Sequence, residues 1–254
     1  MIRGLEKFKE RFAGLEEQYV LIGGTATYIV LDNAGFEPRA TTDLDIVLCI
    51  EARGGGFGAA FWEFVKLGGY KNHQRSDEKP TFYRFSDPKD ETFPVMLELL
   101  SRAPESLEPP EGFRFAKISM DDYVSSLSAI LLDETYYNFL HEHKKLENGI
   151  SIVNEKALIP LKALAWLNLT AAKKAGKDAK KKDINKHRSD IIRLHQLLIP
   201  EEKISTPTAI KKDIEKFLSA LEEAENLNLK ALGLGQYSLE NIVKTIRQAY
   251  DLTE

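Results

Sequence analysis

The sequence predicts an α+β protein: an N-terminal mixed β-sheet flanked by helices, followed by a mostly helical C-terminal half. Three observations predict it. Short apolar runs such as Tyr19–Ile22 and Leu44–Ile50 alternate with helical patterns in the first part of the chain. Turn-forming clusters, among them Asp87-Pro88-Lys89-Asp90, separate further strand-like runs. Beyond about residue 120 the apolar residues recur at helical spacing instead. The 254 residues therefore divide into an α/β domain at 1–120 and a helical domain at 121–254.

Residues 2–17 carry Ile2, Leu5, Phe8, Phe12 and Leu15 on one face, which predicts an amphipathic first helix rather than the continuous apolar core of a signal peptide. Tyr19–Ile22 reads as a buried strand, and Thr25–Asn33 as a helix stopped at Gly35 with Pro38 beyond it. Leu44–Ile50 is the second strand, followed by the turn Arg53-Gly54-Gly55-Gly56 and a helix over Phe57–Leu67 that ends at Gly68-Gly69. Polar residues 71–79 predict a loop, Thr81–Phe85 and Phe93–Leu100 a pair of strands, and Phe113–Ile118 one more. Asp121-Asp122 can open a helix through Leu140, because carboxylates favour the positive N-terminal end. Asn154 is the expected cap of a helix bearing Leu158, Leu161, Leu164 and Leu169, with Pro160 an objection best met if that helix starts near it. Helices over 182–198, 207–224 and 238–250 complete the chain.

With 43% hydrophobic and 29% charged residues, the composition is that of an ordinary globular protein. No apolar run approaches the roughly 20 residues of a membrane span, so no membrane partner is expected. A single cysteine, Cys49, sits inside a predicted strand, which reads as packing and points to a reducing cytoplasm. The net charge of −4 argues against a uniformly basic nucleic-acid binder. Lys173–Arg188, however, holds seven Lys and one Arg against Asp178 and Asp183, a local +6 that leaves −10 on the remainder. A polyanionic partner would meet the protein there; the alternative is a solvated interhelical loop.

The chemistry concentrates between Leu21 and Ile50. Gly23-Gly24-Thr25 follows a strand and opens a helix, a setting in which backbone N–H groups can close on phosphate oxygens. Asp43 and Asp45 stand two residues apart on the next strand, on one face and about 6.6 Å apart at roughly 3.3 Å per residue. Such a pair suits a hard divalent cation. Glu98, inside Val95-Met96-Leu97-Glu98-Leu99-Leu100, has only apolar neighbours. A buried carboxylate must be paired, protonated or bound to a cation. Arg84 or Arg102 would make it structural; a strand beside that of Asp43 and Asp45 would make it a third metal ligand. Arg39 reads as a solvated loop residue or a phosphate contact, and Trp62 and Trp166 as core.

Together, Gly23-Gly24, Asp43-Leu44-Asp45 and Glu98 resemble the polymerase-β-like nucleotidyltransferase superfamily. The wording GGTA followed by RATTDLDI is most similar to the AbiEii/AbiGii family, the toxin components of abortive-infection toxin–antitoxin systems. Lys162, in Leu158–Ala165, fits the lysine that family carries on a helix after the sheet, and Lys186–Leu194, with Asp190, fits a later motif. The resemblance spans residues 19–198. Gly24 stands where a serine is common in the superfamily, His187 where relatives are often acidic, and residues 36–41 lengthen the loop before the aspartates.

The resemblance implies that residues 1–120 form the catalytic domain and that 121–254 complete the active-site cleft. It implies two Mg2+ ions held by Asp43, Asp45 and Glu98, and a nucleoside triphosphate whose phosphates rest on Gly23, Gly24, Thr25 and Lys162. Lys162 and Asp190 join the three acidic residues as catalytic. For Lys162 the alternative is a lysine that snorkels to water; for Asp190, a helix-face bridge to Arg193 or Lys186. The implied acceptor is RNA, notably a tRNA 3′ end near Lys173–Arg188, and the implied partner a cognate antitoxin. A small-molecule, aminoglycoside-type acceptor is the enzymatic alternative, and a non-catalytic nucleotide-binding or interaction module on the same scaffold the other.

Overall fold

The computed structural model describes residues 2–49, 56–75, 82–102, 107, 109–111, 113–117, 127–223 and 227–252. Several expected features lie outside these residues: the turn at 53–55, the strand ends at Ile50, Thr81 and Ile118, and the helix start at Asp121-Asp122. The fold is mixed α+β. It divides into two compact units, one formed by Met1–Tyr28, Ala40–Tyr123 and Lys144–Val153, the other by Ile29–Arg39, Val124–His143 and Asn154–Glu254.

The first unit is built on an eight-stranded sheet. Its strands are β1 (Tyr19–Ile22), β2 (Asp43–Leu48), β3 (Asn72–Arg75), β4 (Phe82–Ser86), β5 (Met96–Ser101), β6 (Ala116–Lys117), β7 (Lys144–Glu147) and β8 (Ile150–Val153). The order is β6-β3-β4-β5-β2-β1-β8-β7. β2 and β5 run parallel and β1 and β4 flank them antiparallel, so the centre of the sheet carries the acidic residues.

The two faces of the sheet differ in kind. One face carries Tyr19, Leu21, Ile46, Leu97, Leu99, Tyr83 and Phe85. It is covered by α1 (Leu5–Arg11) and α3 (Phe57–Gly68). Phe8 meets Tyr19 edge-on with centroids 5.2 Å apart, and Phe61 meets Phe85 at 5.6 Å. Trp62 is buried in this layer against Tyr83 and Phe85, a core residue as expected. The opposite face carries Asp43, Asp45, Glu98 and Arg84.

Among the elements that differ from the sequence reading are a strand, a hairpin and a divided helix. β3, Asn72–Arg75, occupies what reads as loop, because its residues are polar and alternate no apolar face. Residues 144–153 fall in the half read as helical, yet they form a hairpin whose second strand pairs parallel with β1. Asn148 and Gly149, at φ 51° and 78°, supply the left-handed turn that closes it. The helix expected through Leu140 is instead α4 (Leu127–Ile130) and α5 (Glu134–Glu142). Asp133 starts α5 by accepting from Thr135 N and Tyr136 N at 2.9 and 3.1 Å.

The remaining helices of the second unit are α6 (Glu155–Lys174), α7 (Lys181–Leu194), α8 (Thr208–Glu222) and α9 (Leu239–Ala249). Asn154 caps α6 as expected, accepting from Lys156 N at 3.0 Å. α6 continues through Pro160 and buries Leu158, Leu161, Ala165 and Leu169. Trp166 is buried against Phe217 of α8. Among the described residues, no helix is long and apolar enough to cross a membrane.

Candidate functional site

α2 (Gly23–Asn33) begins directly at the end of β1, two residues earlier than the sequence suggests, so both glycines lie in its first turn. Gly23 has φ +65°, and a Cβ there would lie 1.8 Å from Asp45 Oδ2. Only glycine lets the Asp45 carboxylate approach the helix start this closely. Thr25 is fully buried, and its hydroxyl donates to the Asp43 carbonyl at 2.7 Å. The hydroxyl thus ties α2 to β2, and what Thr25 presents to a ligand is not that group.

Parallel pairing places Asp45 directly across from Glu98, while Asp43 faces Met96 two residues earlier. Side chains at i and i+2 share a face, so all three carboxylates point to the same side of the sheet. Glu98 is 6% exposed. Burial, reinforced by the Asp45 carboxylate to which it is hydrogen-bonded, pushes its pKa up to about 7, against the opposing pull of Arg84. Both Nε and Nη2 of Arg84 reach Glu98 Oε1 at 2.7 Å. Of the two arginines the sequence offers as partners, Arg84 is the one seated, because antiparallel pairing puts it opposite Glu98. Its fork binds one carboxylate oxygen.

Among the described residues, no group of three or more His, Cys, Asp or Glu side chains is gathered closely enough to hold a metal unaided. The structure brings Asp45 and Glu98 together and sets Asp43 on the same face without closing a three-carboxylate cage. Two adjoining carboxylates, one of them raised in pKa first by burial and then by the other's charge, still suit a hard cation. Magnesium commonly takes one or two carboxylates and completes its shell with water and substrate phosphates.

Lys162 and Asp190 come together in the second unit. Lys162 Nζ donates to Asp190 Oδ2 at 2.7 Å, and the two side chains are 0% and 1% exposed. Neither alternative drawn from sequence holds: Lys162 does not reach water, and Asp190 pairs with Lys162 rather than with its helix neighbours Arg193 or Lys186. Arg39 Nε donates to the other oxygen, Oδ1, at 3.3 Å. Burial would raise the Asp190 pKa, but Lys162 and Arg39 outweigh it and hold the carboxyl down to about 2. Burial lowers the Lys162 pKa, with Asp190 opposing.

His187, one turn before Asp190, is buried and pushed down to about 3, first by burial and then by Lys162 and Lys186. It is a neutral imidazole at neutral pH. The link from Arg39 to Asp190 spans 151 residues and has no local signal in the sequence. Lys173, Lys174, Lys177, Lys180, Lys181 and Lys182 are all exposed around the turn between α6 and α7.

No protein-family model matches the chain, and no curated protein matches it either. Among solved structures, it is similar to the crystal structure of an antigenic nucleotidyltransferase-like protein from Paracoccidioides brasiliensis. That likeness has 15% identity and a TM-score of 0.41, over 91% of this chain and 94% of the other.

Proposed function

We propose that this chain transfers a nucleoside monophosphate from a nucleoside triphosphate to an acceptor hydroxyl, with magnesium as cofactor. The observation that carries this reading is the Asp45–Glu98 pair, two carboxylates side by side against a glycine at a helix start. Asp43 and Asp45 are the proposed metal ligands, with Glu98 completing the acceptor side; the resemblance drawn from sequence makes this two ions. When bound, magnesium supplies charge neutralisation on the phosphates and lowers the pKa of the acceptor hydroxyl.

The backbone N–H groups of Gly23, Gly24 and Thr25, in the first turn of α2, are the proposed donors to the phosphates. Glu98, across the sheet from Asp45 and held on one oxygen by Arg84, is the proposed base. The acceptor oxygen forms its bond to the α-phosphorus as the bond from that phosphorus to the bridging oxygen breaks. Pyrophosphate departs, and the hydroxyl proton passes to Glu98.

RNA, a tRNA 3′ end in particular, is the proposed acceptor, because the exposed lysines between residues 173 and 182 offer it a cationic surface. Phosphate contacts of that kind weaken steeply with salt. A cytoplasmic setting and a cognate antitoxin belong to the same proposal.

The test is pyrophosphate release by the purified chain with magnesium, each nucleoside triphosphate and bulk tRNA. Asp45→Asn is expected to lower turnover by at least about 100-fold, the scale on which removing one electrostatic group acts. Equal turnover in that variant overturns the reading. Turnover on an aminoglycoside but not on tRNA makes the acceptor a small molecule, and nucleotide binding without release makes the chain a non-catalytic module.

A further inference from the structure

Within the first unit, residues of α3, of β3 and of the segment before β6 line a cleft of about 750 Å³. Antiparallel pairing sets His73 across from Phe85, which puts the cleft on the opposite face of the sheet from Asp45 and Glu98. Three of its lining residues are aromatic: Trp62, His73 and Phe113. The Phe113 ring lies 5.1 Å from Trp62 and 5.2 Å from His73, centroid to centroid. Nε2 of His73 is 2.8 Å from the Tyr70 carbonyl. A carbonyl only accepts, so Nε2 carries the proton, and Nδ1 of the neutral ring is left as an acceptor.

Lys66, Lys71 and Arg114 line the same cleft, all exposed and without an ion-pair partner among the described residues. Glu63 lines it too but is paired with Arg11. Glu111 is then the one uncompensated acid among the described lining residues, against three cations. The volume falls in the range of small-molecule sites, roughly 300–1,000 Å³. An inorganic anion alone would leave the rings and most of that space unfilled. An uncharged ring would leave the cations unmatched.

We propose that this cleft binds a nucleoside monophosphate, with its base against Phe113 and His73 and its phosphate on Lys66, Lys71 and Arg114. The base supplies flat ring area and an amino group able to donate to His73 Nδ1. The phosphate accepts charge-assisted hydrogen bonds from the three cations. The site does not rest on the transferase reading: its ligand is held on the other face of the sheet and undergoes no reaction there.

The test is calorimetric titration of adenosine 5′-monophosphate into the full-length chain, at low salt and with EDTA present. Wild type is expected to bind it at least about 10-fold more tightly than adenosine, which lacks the charge, or inorganic phosphate, which lacks the ring. That factor is the scale of one hydrogen bond to a charged group. Lys71→Glu and Arg114→Glu, both at exposed positions, are each expected to weaken binding by at least the same factor. Glu111→Gln is expected to tighten it by about 2- to 5-fold, the scale of one exposed charge interaction.

The three-ligand comparison on wild type needs no variant to fold. No binding by wild type, or adenosine or phosphate binding as tightly as the monophosphate, overturns the proposal. So does monophosphate binding that Lys71→Glu and Arg114→Glu leave unchanged, which would place the ligand elsewhere on the chain. Weaker binding in Glu111→Gln also overturns it, because removing an acid beside a bound anion must relieve repulsion.

Discussion

Glu98 lies directly across the parallel β2–β5 pairing from Asp45, one carboxylate beside another in the middle of a buried sheet. Burial and that neighbour raise the Glu98 pKa to about 7, from its ordinary value of 4.5. Between these two values the folded chain holds a proton that the unfolded chain has released, so stability falls as pH rises across the window. The fall is on the order of 3 kcal/mol at most, at about 1.4 kcal/mol per pKa unit. Urea midpoints measured from pH 4 to pH 8 should show this slope, and Glu98→Gln should flatten it. At pH 8, magnesium should recover stability in wild type and not in Glu98→Gln. A slope that survives the substitution would assign the titration to another group.

Gly23 is where backbone conformation and the carboxylate meet. Its φ of +65° costs an L-residue about 1–2 kcal/mol, and an added methyl would overlap Asp45 Oδ2. Gly23→Ala should therefore destabilise by at least that amount and displace Asp45, lowering turnover as Asp45→Asn does. Gly35, also at positive φ but with nothing within 4 Å of an added Cβ, is the control: Gly35→Ala should carry only the backbone cost and leave turnover intact.

The juxtaposition of Asp45 and Glu98 was legible because a carboxylate inside an apolar strand demands a partner, and the D-x-D strand was the nearest acidic one. What was not legible depended on distant partners. Asn72–Arg75 has no apolar alternation and is a strand only because β4 and β6 accept it on both sides. The 144–153 hairpin carried a readable signal in Asn148-Gly149, which the surrounding helical patterns outweighed. The Arg39–Asp190 bond joins positions that no local motif relates.

Lys162 and Asp190 form a fully buried ion pair, and such pairs are worth most when one member is missing. Lys162→Met should destabilise by about 3–5 kcal/mol, because among the described residues it leaves the buried carboxylate with Arg39 alone, at 3.3 Å. Adding Asp190→Asn should restore much of that loss. Thermal melts of the two single variants and the double close the cycle. Additive losses would mean that the two groups do not depend on one another. The acid arm has its own sign: Asp190, held down to about 2, stabilises the fold above its unfolded pKa of 3.8 and loses that contribution as pH falls toward 2.

Pro160 sits six residues into α6, where its missing N–H leaves the carbonyl of Lys156 without its helical donor. The hydroxyl of Tyr250, just past the end of α9, donates to that carbonyl at 2.8 Å. A side chain 94 residues away thus replaces one rung of the helix, which is why the proline is tolerated where sequence raised an objection. Tyr250→Phe removes the donor and leaves that part-buried carbonyl without it, at about 1 kcal/mol. In a Pro160→Ala background the residue-160 N–H can reach Lys156 O, and the same Tyr250→Phe change should cost less. The double-mutant cycle is expected to give a coupling of about 0.5–3 kcal/mol, the range for groups sharing a partner. Equal Tyr250→Phe losses in both backgrounds would show that the hydroxyl is not standing in for the missing rung.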